Sequence, residues 1–505
     1  MKIKQKVILT IFMVSILGLL FFPVVSAKKN GIDYGPKAKL LTSNGKMFGW
    51  IKDLWKIGDE GRYGYRMPGT PADWAGAQYI YDKFESFGLE THLEEFELPV
   101  SFPDEWSLTI NVGEVEESIP AGFVRYAKYP ESGSVSGEMV YVGTGSVAEF
   151  EDEAGNVEGK IVVVDLIASG LPTAILGLFP MFTYDPENTL PGDMITENWP
   201  VDNFDTSYEN AYLYGAVGYI GILTFTADDI HQYLHAYADG SLPGLYISPN
   251  DGAHLRTMLL DGQTVDATIV LTGEEYLGTS YNVYGILPGQ TDETIVVLSH
   301  HDGWATNEAS GMAVVMALAK YYAQIPYSQR ERTLMFLATG SHFGKRPSLL
   351  EMCERLASVE ENIVAAVSVE MISKQFKIID GKFVDTGMIS PTIWFISGPL
   401  NEANPYLEDY SIEAITKYDL TRTALQPALG GIFGIAPGEG GLFAAIGIPV
   451  VHLIAHNAPQ FTNEDKPNTV MVEALKPTTA ALALVIDNID DTPADWLIGS
   501  GPGPA

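Results

Sequence analysis

At 505 residues, with 46% hydrophobic residues, 50 Gly and 30 Pro, the chain has the composition of a turn-rich globular protein and length for about two to four domains, which excludes a disordered chain. Thirty basic residues stand against 64 acidic ones, a net charge of −34, which disfavours nucleic acid and anionic membrane surfaces and favours solubility and cations. A single cysteine, Cys353, excludes a disulfide framework, so the protein has to hold together by burying a core.

Residues 1–27 run from Lys2, Lys4 and Lys6 through an apolar stretch at 7–22 to Val25-Ser26-Ala27, the order of a secretory signal cleaved after Ala27. An uncleaved anchor is the rival reading, although the stretch falls short of the ~20 residues of a span. No other segment has the length to cross a bilayer, so the expected location is secreted or cell-surface, with no membrane contact beyond the signal. Without its first 27 residues the chain keeps 27 basic against 64 acidic residues, a net charge of −37.

Apolar spacing predicts a helix over 47–57, and Thr70-Pro71 caps a second one that runs through 75–87 and stops at Gly88. Strands follow at 90–99 and 107–112. From about 132 short β runs appear at 139–142, 160–165, 219–224, 243–248 and 264–271, with helices near 211–216 and 251–260. A Pro/Asn/Asp-rich excursion over 171–210 reads as a long loop. Beyond Tyr281 strands at 295–298, 333–339, 363–371, 392–397 and 449–454 alternate with helices at 311–323, 347–357, 401–415 and 470–489. This predicts an α/β fold with a mainly parallel sheet flanked by helices, and a compact β-rich module at 130–273.

Five of the nine histidines lie between 300 and 456. His300, His301 and Asp302 end the strand at 295–298, and ligand sites in α/β sheets lie beyond the carboxyl ends of strands. His342 follows the next strand, and Glu370 is embedded in an apolar one, where a carboxylate needs a cation or a salt bridge. A divalent cation requires three or four such groups on neighbouring strand ends. His300, Asp302, His342 and Glu370 form that set, with Glu308 close in sequence. His342 reads equally as a loop cap, and His452 reads as a core histidine. His301 points away from the face that His300 serves, because side chains alternate along a strand. No Gly-Lys-Ser/Thr phosphate loop, Gly-x-Ser-x-Gly elbow or cysteine-based site is present, so nucleophilic serine chemistry has no support.

Taken in order, Arg66-Met67-Pro68-Gly69-Thr70, Gly159-Lys160-Ile161-Val162, Ser299-His300-His301-Asp302-Gly303, Glu308-Ala309-Ser310-Gly311 and Gly447-Ile448-Pro449-Val450 resemble the zinc aminopeptidases of metallopeptidase family 28. The resemblance is to members with an inserted protease-associated domain. It implies a peptidase-like domain over 30–129 and 274–490 and a protease-associated insert over 130–273; the stretch 491–505, with Gly501-Pro502-Gly503-Pro504, is expected to be a flexible tail.

Active members of the family use two zinc ions, held by His, a bridging Asp, Glu, Asp and His, with a further Glu as general base. Of these, His300 is kept, together with Asp302 of the His-x-Asp motif. Asn307 stands at the bridging Asp, Ser341-His342 at Glu-Glu, Glu370 at the later Asp, and Phe461 at or near the last His. An amide cannot bridge two cations, and a missing general base is worth about 10²–10⁴ in rate, so an ordinary two-zinc site is not expected. One reading is a rearranged site for one zinc ion, with His300, Asp302 and Glu370 as ligands and His342 and Glu308 as catalytic groups, acting on a peptide or amide substrate. The other is an inactive peptidase-fold protein that binds no metal and engages a protein partner.

Overall fold

The computed structural model describes residues 32–179, 181–344, 362–398, 404–431 and 433–498, without the side chains of 154, 307 and 308. The expected signal at 1–27, the helix at 347–357 with Cys353, and the end of the tail lie outside the described residues. No helix among the described residues is long and apolar enough to cross a membrane.

One sheet of 15 strands passes through the molecule. Its centre is parallel: Thr333–Thr339, Thr294–His300, Ile363–Val369 and Val450–Ala455 lie side by side in that order. Strand Thr392–Ser397 runs against the last of these, and Thr423–Pro427 lies parallel to it. Because both faces of the central strands are covered, they are unbroken apolar runs. Ile295 and Val297 pack into one core with helices Asn44–Asp59, Pro71–Phe87, Ser310–Tyr322 and Val472–Asp490, whereas Val296 and Leu298 pack into the opposite core with helix Glu439–Ala445. The helix at Pro71–Phe87 starts and stops on its own sequence. The Thr70 hydroxyl accepts from the Asp73 amide, and Gly88 closes it with φ 88°, a left-handed backbone that suits glycine.

The expected break between strands at 90–99 and 107–112 is absent. Glu90–Val112 is one strand with a bulge between Pro103 and Glu105. It pairs antiparallel with Asp266–Leu287 along its length, from Glu90 opposite Ile286 to Asn111 opposite Asp266. Bulging absorbs the proline, which has no amide to donate, so the ribbon continues. At its inner end Asp266–Leu287 pairs with Thr333–Thr339, and at its outer end with Ser134–Tyr141 of the 130–273 region. Residue 273 thus falls inside a strand shared by both regions. Beyond it, Ser134–Tyr141, Ile161–Leu166, Gly218–Leu223 and Gly244–Ile247 form a second parallel run with its own core.

The excursion expected as a loop carries structure. Phe182–Tyr184 adds an edge strand to Thr423–Pro427, and the helix expected at 211–216 occupies Phe204–Leu213. Asp193 pins the excursion. It binds Arg422 at 2.5 Å and Lys377 at 2.9 Å, and it accepts a hydrogen bond from Gln375.

Candidate metal centre

Three adjacent parallel strands deliver the candidate residues. His300 is the last residue of Thr294–His300, His342 follows Thr333–Thr339, and Glu370 follows Ile363–Val369. Ser341 has φ 66°, a strained conformation for a residue with a Cβ, and that turn aims His342 back over the strand end. Asp302 clamps the same turn: its carboxylate accepts from the amides of His342 (3.3 Å) and Phe343 (2.7 Å). The imidazoles of His300 and His342 stack at 3.9 Å with an 11° interplanar angle.

The third member of the cluster is Glu439, which the sequence reading did not select. It is the first residue of helix Glu439–Ala445, in the run Gly438-Glu439-Gly440-Gly441. A Cβ at Gly438 would collide with Glu370 Oε1, and one at Gly440 with the His452 ring. Only a glycine-flanked turn can press so close to the sheet and place a carboxylate there. Donor atoms of His300, His342 and Glu439 lie within 4.8 Å of one another, and they form the cluster of metal-ligand type found among the described residues.

Hydrogen bonds orient this cluster. His300 Nδ1 donates to Asp302 Oδ1 at 3.3 Å, and His342 Nδ1 donates to Glu439 Oε1 at 2.8 Å; in these tautomers each Nε2 carries the lone pair. A carboxylate behind a histidine is the usual support of a metal-binding imidazole. Glu439 Oε1 also accepts from Thr339, while Oε2 is buried with no hydrogen-bond partner among the described residues. A buried carboxylate beside two imidazoles, with one oxygen in that state, fits a divalent cation. Two histidines and one carboxylate with a further position open form a donor set used by catalytic zinc.

Burial pulls the His300 pKa down, but the charge of Glu439 and the bond to Asp302 outweigh it, and the net shift is upward. Burial and the neighbouring His300 lower His342. Burial would raise Glu439, yet the two imidazoles hold it well below the ordinary carboxylate range. Glu439 therefore stays ionised and ready to meet a cation.

The remaining predicted residues fall around this cluster. Both oxygens of Asp302 are engaged in holding His300 and the 341–343 turn, so it supports the cluster from behind. Glu370 is buried, outside the cluster, with Oε1 3.7 Å from His452 Nε2. Backbone 305–309 forms a π-helical turn, and the side chains of Asn307 and Glu308 lie outside the described residues. His301 turns the other way, with Nε2 2.7 Å from the Tyr281 carbonyl and Nδ1 3.5 Å from Asp73. Phe461 is buried with φ 66° and packs its ring on His235 at 4.4 Å.

His342 is the cluster's opening to the outside: its side chain is 13% exposed, whereas Glu439 is fully buried. It borders a cavity of about 320 Å³ shared with Glu370 and walled by Trp199, His235, Phe433 and Phe461. Trp199 comes from the excursion and stacks on His456 at 5.5 Å.

Residues 282–341 match the model of peptidase family M28. The chain is 17% identical to a peptidase M28 precursor from Shewanella amazonensis SB2B, with a TM-score of 0.65 over 91% of this chain and 98% of that one. It is 16% identical to BSAP, a zinc aminopeptidase from Bacillus subtilis, with a TM-score of 0.62 over 91% and 99%. At these identities the likeness is one of fold. A probable glutamate carboxypeptidase, LAMP1 of Arabidopsis thaliana, is 24% identical over 310 residues, 50% of this chain and 44% of that protein. The chain thus spans less than half the length of that curated relative. In the matched segment and in its fold, the chain is similar to the peptidases of family M28.

Proposed function

We propose that this protein is an exported, metal-dependent hydrolase of peptide or amide bonds, with one zinc ion held by His300, His342 and Glu439. The observation that carries this reading is the buried His300–His342–Glu439 cluster, opening through His342 onto a cavity. Zinc bound there would supply a Lewis acid that polarises the scissile carbonyl and makes water a better nucleophile. The chain's own residues fix the rest. Asp302 holds the His300 ring and the 341–343 turn, Glu439 orients His342, and the aromatic wall takes a substrate side chain and keeps water out. The sequence at 1–27 supports export.

The cavity also supports a side-chain preference. Its described lining has Trp199, Phe433, Phe461 and Ile454 and contains no Lys or Arg, whereas an acidic side chain calls for a cationic partner. An uncharged apolar residue fits this wall better than the glutamate in the name of the Arabidopsis relative. The test is zinc content per chain after loading and dialysis, together with hydrolysis of phenylalanine and glutamate p-nitroanilides. One retained zinc and turnover of the phenylalanine substrate are expected. A chain that retains no zinc and cleaves neither substrate is instead an inactive peptidase-fold protein, and its function lies with a protein partner.

A further inference from the structure

The resemblance places the family's general base at Ser341, a hydroxyl that does not accept a proton near neutral pH, so a hydrolase built on this cluster needs its base elsewhere. Glu370 occupies a distinctive place. It lines the same cavity as His342, is 1% exposed, and is not among the three residues whose donor atoms converge. Its Oε1 lies against the Cα of Gly438, the residue before Glu439, where any side chain would collide with it. The carboxylate is thereby fixed beside the residue that precedes a proposed ligand. Behind it His452 Nε2 stands at 3.7 Å, buried in strand Val450–Ala455.

We propose that Glu370 is the general base of this hydrolysis and not a ligand of the metal, an inference that rests on the hydrolase reading above. Glu370 accepts a proton from the attacking water as the water oxygen bonds to the carbonyl carbon. It then passes that proton to the leaving nitrogen as the C–N bond breaks. One water is consumed, the carboxylate is regenerated, and no oxidant or reductant is required. Geometry supports the role because a base has to reach the cavity in which the carbonyl sits, and Glu370 borders that cavity.

The test uses the full zinc-loaded chain, with phenylalanine p-nitroanilide as probe, and compares Glu370→Gln, Glu370→Asp and Glu308→Gln with wild type. Each protein is assayed for kcat, KM, zinc per chain and thermal unfolding midpoint. Glu370→Gln is expected to lower kcat by about 10²–10⁴, the usual worth of a general base, while zinc content and KM stay near wild type. Glu370→Asp should recover part of the rate, and the acidic limb of the wild-type pH profile should be missing from the residual activity of Glu370→Gln. Loss of zinc from folded Glu370→Gln would make Glu370 a ligand and overturn the proposal. So would an active wild type whose Glu370→Gln variant keeps its rate, or a large loss confined to Glu308→Gln. A zinc-loaded wild type without turnover would overturn the hydrolase reading itself, and the base assignment with it.

Discussion

The two walls of the cavity are built on different principles. One wall, with His342 in front of the buried His300, stands on the ends of parallel strands whose faces are both buried, and its polar groups are tied to each other and to Asp302 and Glu439. The other comes from loops. Trp199 arrives on the excursion, His235 from the 130–273 region and Phe461 from the loop after Val450–Ala455. These meet through ring contacts and a few hydrogen bonds, such as the Leu234 amide to the Phe461 carbonyl and Asn198 to the Ala458 carbonyl. Sheet geometry fixes where a cation can be held, while loop packing decides which side chain fits opposite.

Damage to the histidines behind the first wall should remove zinc and turnover together, and damage to the second wall should change affinity alone. The largest effect is expected from His300→Ala. Elemental analysis should find no retained zinc, and turnover should fall by about 10³ or more, the scale of several kcal/mol of Lewis-acid stabilisation. Asp302→Asn removes the support behind His300 and should weaken zinc affinity about 10–100-fold, measured by competition with a chelator.

Acid probes the same wall. The His300 pKa is raised above its ordinary 6.5, so protons compete with zinc sooner than for a free imidazole. As the pH is lowered in a dialysis series, zinc retention should therefore begin to fall at a higher pH than an unshifted histidine would give. Against the second wall, Trp199→Ala should raise KM for the phenylalanine substrate about tenfold with kcat nearly unchanged, the signature of lost uniform binding.

The smallest effect concerns the anchoring of the excursion. Burial would raise the Asp193 pKa, but Arg422, Gln375 and Lys377 outweigh it and hold it at about 2, against an ordinary 3.8. A depressed carboxylate contributes stability above its unfolded value, and that contribution is lost as the pH falls through the folded one. Asp193→Asn should thus cost about 2 kcal/mol at neutral pH, read from urea unfolding, and the gap to wild type should close between pH 4 and 2.

Much of the first wall was legible in the sequence. An apolar run that ends in His300-His301-Asp302 and is followed by an apolar helix could be assigned without partners, because burial on both faces leaves a continuous hydrophobic strand. Glu439 was not legible. Its helix is only seven residues long and its glycines read locally as loop, although they are glycines because Glu370 and His452 press against them. That cause is a contact between residues far apart in the chain. The excursion was missed for a similar reason: Phe182–Tyr184 is a strand because Thr423–Pro427 offers it an edge. The expected break between 99 and 107 is absent for a similar reason, since a bulge and a long antiparallel partner carry the strand past Pro103.

The ribbon of Glu90–Val112 and Asp266–Leu287 limits how this molecule can be taken apart. Excision of 130–273 as a cassette would strip the partner from residues 103–111. The severed strand would then present bare amides and carbonyls, an edge that recruits other chains and promotes aggregation. Any transplant or removal of the inserted region has to carry the outer ribbon with it.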